Sequence, residues 1–255
     1  MRMTLEQLAR FIDHSLLHPT LSDDEVREGC QLSKDYAVAT ACVKPYHIPL
    51  AKEVFEGSPV KVCAVIGFPH GNSTTGIKVI EAESATLAGA AEVDMVVNVG
   101  KVKSKDWKYV RREVELINQA VVGAGGILKV IFENDYLENG EIIELCKICS
   151  EASVAFIKTS TGYGFVKRAD GQYNYKGATV EHLKLMRQHA APEVQIKAAG
   201  GVRTLDDLLA VAGLGVTRIG ATATKAILNE AIKRGFPGSL PAPHLEESSK
   251  APVGY

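Results

Sequence analysis

Apolar residues gather along the chain in short runs, and the segments between them repeat apolar positions every three or four residues. The runs occupy 10–16, 38–43, 60–66, 93–99, 127–132, 154–157, 194–196 and 216–219. They are rich in Val and Ile, side chains that suit a pleated, half-buried surface, so each predicts a β-strand. The intervening stretches, such as 77–88, have the spacing of an amphipathic helix. Leu87-Ala-Gly-Ala90 and Val211-Ala-Gly-Leu-Gly215 close two of them with the small, glycine-containing turn that commonly ends a helix. Eight β-then-α units in 255 residues match an α/β fold of the (β/α)8 TIM-barrel type. A doubly wound sheet fits less well, because no G-x-G-x-x-G follows the first run. Nothing divides the chain, which reads as a single domain over 1–255. From about residue 241 it turns polar and Pro-rich, the composition of a flexible tail.

Strand side chains alternate between the two faces of a barrel wall, and the outer face must be apolar to pack on helices. Val93, Met95 and Val97 oppose Asp94, Val96 and Asn98, and Leu128, Val130 and Phe132 oppose Lys129, Ile131 and Glu133. Ala155 and Ile157 oppose Val154, Phe156 and Lys158, while Val194, Ile196 and Ala198 oppose Gln195 and Lys197. Asp13 shares a face with Phe11 and Ser15, and Cys42 shares one with Thr40 and Lys44. One face in each pair is apolar and the other holds the polar groups. The barrel interior should therefore contain Asp13, Asp94, Lys129, Lys158 and Lys197.

A buried lysine is costly unless it is paired or used. Three lysines against two aspartates leave one amine over. Lys158 and Lys197 each end a strand just before a glycine loop, where barrel active sites form. Lys129 lies mid-strand and reads equally well as an ion-pair partner. A lysine that attacks a carbonyl must be neutral, and a neighbouring ammonium or partial desolvation favours that form. Two glycine segments, Gly200-Gly201-Val202-Arg203-Thr204 and Ile219-Gly220-Ala221-Thr222-Ala223-Thr224, follow strands seven and eight. Backbone N–H groups there, with a helix N-terminus, suit a phosphate. A third segment, 161–177, is long for a loop of this kind and should face the substrate.

Net charge is -1 and composition is that of an ordinary globular protein, which favours neither nucleic acid nor membrane as a partner. Five cysteines and no long apolar stretch after Met1 argue for a reducing, cytoplasmic setting. Cys146 and Cys149 have C-x-x-C spacing but lie in a helical pattern and read as core. The seven histidines show no H-x-H or H-E-x-x-H cluster, so no metal is called for. His70 reads as a structural loop residue.

At these residues the chain closely resembles the class I deoxyribose-phosphate aldolases. The matching segments are Ile12-Asp-His-Ser-Leu-Leu17, Phe68-Pro-His-Gly71, Glu92-Val-Asp-Met-Val-Val97, Phe156-Ile-Lys-Thr-Ser-Thr-Gly162 and Ile196-Lys-Ala-Ala-Gly-Gly-Val-Arg-Thr204. They occur in family order across nearly the whole chain. The resemblance implies Lys158 as the Schiff-base lysine, Lys197 as the second lysine that lowers its pKa, and Asp94 as a proton relay with Lys197 and a water. It implies Asp13 at the substrate hydroxyl end and Cys42 near the aldehyde. Thr161, Gly162, Gly200, Gly201, Gly220 and Thr222 would bind the rest of the substrate, the glycines and Thr222 at its phosphate. No cofactor is implied, because the imine is the electron sink. Substrates would be a small sugar phosphate and its aldehyde products, and a homodimer is compatible with the family. Tyr255 resembles a C-terminal tyrosine of some members.

Two departures stand out. Thr222 and Ala223 occupy positions where the family commonly has two serines, and the segment 163–177 is longer than usual. Both concern the phosphate end. They keep open a related lysine aldolase that acts on an unphosphorylated or different deoxysugar. A barrel that only binds sugar phosphate has no use for two lysines at neighbouring strand ends.

Overall fold

Every apolar run of the sequence becomes a barrel strand in the computed structural model, which describes residues 3–167 and 169–242. Helix α1 (Leu5–Arg10) leads into β1 (Ile12–Leu16), α2 (Asp23–Asp35), β2 (Thr40–Val43), α3 (Ile48–Val54), β3 (Lys61–Ile66) and α4 (Thr75–Ala88). Then come β4 (Glu92–Val96), α5 (Val99–Lys103), α6 (Trp107–Gly123), β5 (Ile127–Ile131), α7 (Asn139–Glu151) and β6 (Phe156–Lys158). A hairpin, β7 (Val166–Lys167) and β8 (Tyr173–Asn174), precedes α8 (Val180–His189), β9 (Gln195–Ala199), α9 (Leu205–Ala212), β10 (Arg218–Ala221) and α10 (Thr224–Lys233). The strands close in the order β1-β10-β9-β6-β5-β4-β3-β2, all parallel. This is the TIM barrel that the run count implies.

Local chemistry sets the boundaries. Reciprocal capping boxes, Thr4 with Gln7, Ser22 with Glu25 and Thr204 with Asp207, start α1, α2 and α9. After α4, Gly89 adopts φ 117°, a left-handed stop that only glycine takes without strain. The run 93–99 does not stay extended to its end. Asn98 caps α5 by accepting from the Lys101 N–H, so Val99 opens a helix. The segment 161–177 is not a plain loop either. Val166 and Lys167 pair with Asn174 and Tyr173, closed by a turn in which Gly171 has φ 81°. Residues 243–255, hence most of the expected tail and Tyr255, lie outside the described residues.

The inside–outside count holds. Val93, Met95, Leu128, Val130, Ile157, Ile196 and Ile219 are buried in the apolar shell between barrel and helices. The opposite face turns inward, and the parallel register pairs Lys158 with Lys197, Asp94 with Lys129, and Cys42 with Cys63 on adjacent strands. Period-two alternation thus delivers titratable groups from β1, β2, β3, β4, β5, β6 and β9 to one interior.

Candidate active site

Asp94 sits at the centre of the interior. Its Oδ2 accepts from Lys158 Nζ and Lys197 Nζ, each at 2.8 Å, and its Oδ1 accepts from Lys129 Nζ at 2.8 Å. Lys197 also pairs with Asp13 Oδ2 at 2.5 Å, and Lys129 with Glu92 at 2.6 Å. Arg218 closes the circuit by donating to Asp13 Oδ1 at 2.5 Å and Glu92 at 3.2 Å. Four cations (Lys129, Lys158, Lys197, Arg218) therefore face three carboxylates (Asp13, Glu92, Asp94), a surplus of one positive charge. Lys158 has Asp94 as its one carboxylate partner among the described residues, whereas the other three cations each have at least two.

Charge outweighs burial here. Burial pushes Asp94 up, but Lys129, Lys158 and Lys197 hold it well below the ordinary carboxylate range. Asp13 behaves likewise under Lys197, Lys129 and Arg218. Burial pulls Lys197 and Lys129 down, yet their carboxylate neighbours carry both well above the usual lysine value. Lys197 thus rests as an ammonium. Lys129, equivocal in the sequence, is an ion-pair partner beneath the cleft. Cys42 is lowered by a hydrogen bond with Cys63, against burial and with help from Lys197. Cys63 is raised well above its usual value by burial.

The cleft opens at the C-terminal ends of the strands, where barrel active sites form. Its walls hold Asp13, Cys42, Lys158, Thr161, Gly162, Lys197, Gly200, Gly201, Gly220 and Thr222. The catalytic and substrate-binding residues that the resemblance implies all lie in these walls except Asp94, which sits directly beneath. Gly200 and Gly201 have φ 83° and 90°, so their N–H groups stand where a side chain would otherwise be strained. Ala223, at the N-cap of α10, makes no side-chain cap bond, which leaves that helix start to backbone donors and Thr222.

Thr161 has a narrower part than its place in the wall implies. Its hydroxyl donates to Glu133 and accepts from the Tyr163 N–H at 2.9 Å, and its own N–H donates to Glu133 at 3.1 Å. The hydroxyl is committed to the loop. Burial pushes Glu133 up to about 7.

Several residues of this site were not singled out in the sequence. Glu92 and Arg218 complete the ion network. Glu92 stands two positions before Asp94, so the period-two count would have included it had the run begun one residue earlier. Tyr175 lines the outer cleft beside Arg203, which already belongs to the Gly200–Thr204 segment marked for an anion. Tyr175 arrives from the hairpin, and its place depends on how that segment folds back. Cys146 and Cys149 are buried in α7, as expected of core residues, and burial raises both thiols.

Cys42, Cys63 and Asp94 bring their ligand atoms within 4.8 Å of one another. The set does not suit a divalent cation. Lys129 already donates to Asp94 and Cys63, and Lys197 to Asp94 and Cys42, so a metal would enter between two ammonium groups. Among the described residues, no helix is long and apolar enough to cross a membrane.

Residues 11–229 match the family model of the DeoC/LacD family aldolases. The chain is 43% identical to a deoxyribose-phosphate aldolase of Rhodopirellula baltica, over 97% of each chain. It is 44% identical to one of Treponema denticola, over 87% of this chain and 98% of that one. Its fold superposes on the deoxyribose phosphate aldolase of Aeropyrum pernix with a TM-score of 0.80 at 29% identity, covering 91% of this chain and 94% of the other. That protein is described as a tetramer.

Proposed function

The chain belongs to the DeoC/LacD family of aldolases, and from that premise we propose how its interior lysines carry out a retro-aldol cleavage. The enzyme is a lyase that reversibly splits 2-deoxy-D-ribose 5-phosphate into D-glyceraldehyde 3-phosphate and acetaldehyde. The Lys158 amine attacks the C1 carbonyl of the open-chain sugar, and the carbinolamine loses water to give an imine. The protonated imine draws electrons from the C2–C3 bond as the C3 hydroxyl loses its proton. Glyceraldehyde 3-phosphate leaves, an enamine remains, and protonation at C2 followed by hydrolysis frees acetaldehyde and Lys158.

One observation carries this reading: Lys158 and Lys197 share a single oxygen of Asp94 at the floor of the cleft. Loss of a proton from Lys158 leaves three cations facing three carboxylates, so a neutral nucleophile strands no buried charge. Lys197, held charged by Asp13 and Asp94, donates toward the developing oxyanion and with Asp94 and a water passes protons to and from the substrate. Asp13 faces the substrate hydroxyls, and Cys42 lies beside the aldehyde carbon. Gly162, Gly200, Gly201, Gly220 and Thr222 hold the phosphate, while Thr161 positions Gly162. The five thiols, free and buried, fit a reducing cytoplasm, and the cleavage fits breakdown of deoxyribonucleotide sugars. Assembly into a homodimer belongs to the same reading, and light scattering tests it.

Borohydride reduction with acetaldehyde tests the central claim. We expect a two-carbon adduct on the peptide holding Lys158 and loss of turnover in Lys158→Ala. An unmodified Lys158, or retained turnover in that variant, defeats the assignment. A second reading rests on Ala223, which removes a hydroxyl from the phosphate end. In that case the preferred substrate is an unphosphorylated deoxysugar, and kcat/KM for 2-deoxyribose would equal or exceed that for its 5-phosphate.

A further inference from the structure

Two thiols stand side by side at the cleft. Cys42 on β2 and Cys63 on β3 are register partners on neighbouring parallel strands, and strand alternation turns both side chains inward. Their Sγ atoms lie within 4.8 Å of each other. With Leu17 and Val65 they form a small apolar cluster separate from the main core, packed against Phe68 and Tyr163. Cys42 lines the cleft, and Cys63 is fully buried beside it. The cleavage steps described above give Cys63 no part. The other three thiols line no wall of the cleft, and burial raises Cys30 and Cys146 to about 12 and Cys149 well above its usual value.

The two sulfurs have different surroundings. Lys197 Nζ donates to Cys42 Sγ at 3.5 Å, so a thiolate there meets an ammonium. A hydrogen bond with Cys63 and that ammonium hold the Cys42 thiol below its usual value, against burial. Cys63 Sγ instead donates to Asp94 Oδ1 at 3.1 Å, and burial keeps it protonated. A cleft-facing thiol beside a cation is the form that peroxide attacks, and a second thiol within reach traps the product. Paired strands stand about 4.8 Å apart, inside the range of about 4.4–6.8 Å between the Cα atoms of a disulfide. Because Cys42 faces the cleft, a small dithiol can reach such a bond and reduce it.

We propose that Cys42 and Cys63 are a redox modification site, a pair that hydrogen peroxide converts reversibly to a disulfide, with Cys42 as the reactive thiol and Cys63 as the resolving one. The Cys42 thiolate attacks one oxygen of the peroxide and the O–O bond breaks. The leaving hydroxide takes up the proton that Cys42 released and departs as water, and Cys42 is left as a sulfenic acid. The Cys63 sulfur then attacks the Cys42 sulfur and the S–O bond breaks. That hydroxide takes the Cys63 proton and departs as a second water. The two thiols together lose two electrons and two protons, and the peroxide gains them. The bridge removes the Cys63 donor from Asp94 and the Cys42 acceptor from Lys197, so turnover should stop. The loss of turnover rests on the reading of the cleft given above, whereas the bridge itself does not.

The test treats the full chain with hydrogen peroxide, blocks the remaining thiols by alkylation and maps the peptides by mass. We expect the intact mass to fall by two hydrogens and the peptides holding Cys42 and Cys63 to appear joined. Turnover should fall in step with that species and return on treatment with dithiothreitol. Cys63→Ser keeps a donor toward Asp94 and removes the resolving sulfur. In this variant we expect basal turnover as in the parent, no joined peptide, and a dimedone adduct on Cys42 under peroxide. Longer exposure should carry its Cys42 to the sulfinic acid, with a loss of turnover that dithiothreitol does not reverse. Five free thiols in the treated parent, a bridge between other cysteines, or full recovery of Cys63→Ser after long exposure would overturn the pair. The mapping needs neither turnover nor a variant, so a bridge that leaves turnover intact upholds the pair and counts instead against the place of Cys42 in the aldolase site.

Discussion

Glu133 shows how one residue converts burial into a pH response. It adopts φ 59°, is 2% exposed, and its carboxyl ties down Thr161. Burial raises it from 4.5 to about 7. A carboxyl that binds its proton more tightly when folded adds stability that is fully present below the unfolded value of 4.5 and lost as pH rises through about 7. The unfolding free energy should therefore fall between pH 5 and 7, by up to a few kcal/mol, and the thermal midpoint with it. Glu133→Gln, which cannot ionise, should flatten that slope. A slope unchanged in the variant would assign it to another group. Asp94 is the opposite case, a carboxylate that three lysines require. Asp94→Asn should abolish turnover and destabilise by about 3–5 kcal/mol, measured by urea unfolding, because it leaves buried ammonium groups uncompensated. Both roles follow from neighbours distant in sequence. The alternation of β4 marks Asp94 as inward, yet nothing local reveals that Lys158 and Lys197 meet on one of its oxygens.

At the scale of elements, alternation and capping account for most of what forms. All eight barrel strands are legible because each needs an apolar outer face, and that face repeats every second residue. The difference at 93–99 has a local cause. Asn98 offers the Lys101 N–H a cap, and this outweighs the strand preference of Val97 and Val99. The hairpin was less legible, since two-residue strands carry too little pattern to separate from a loop. Its return to the barrel depends on Asp135 and on the contact of Gly177 with Gly200. Gly177→Ala should place a Cβ against backbone at a φ of 73° and displace the Gly200–Gly201 loop. We expect KM for the phosphorylated substrate to rise several-fold while the borohydride adduct on Lys158 still forms. A second buried pair braces β4 from outside. Lys78 Nζ donates to the Val96 carbonyl at 2.8 Å and to Glu113 at 3.0 Å, and Glu113 accepts from the Asn98 N–H at 3.0 Å. Lys78→Met alone should cost about 3–5 kcal/mol in urea unfolding, because Glu113 is left buried and charged. Adding Glu113→Leu should recover part of it.

For the whole molecule, the ion network inside the barrel sets a pH window. Asp13 and Asp94 lie below their ordinary 3.8, so the stability they add is complete above that value and lost as pH falls below it. Lys129 and Lys197 lie above their ordinary 10.5, so their share is complete below that value and lost as pH rises beyond it. Urea midpoints should drop at both ends, with the Glu133 slope superimposed near neutrality. The amino-acid sequence by itself determined the barrel, the inward and outward faces, and the list of titratable groups, because strand periodicity and the cost of burying charge act within a few residues of chain. Only the tertiary structure decided which charges pair, that Glu92 and Arg218 join them, that the Thr161 hydroxyl is committed to Glu133, and that Tyr175 reaches the cleft. Those outcomes depend on strand register and on a hairpin folding back across the barrel mouth, contacts between residues tens to hundreds of positions apart that no local pattern encodes.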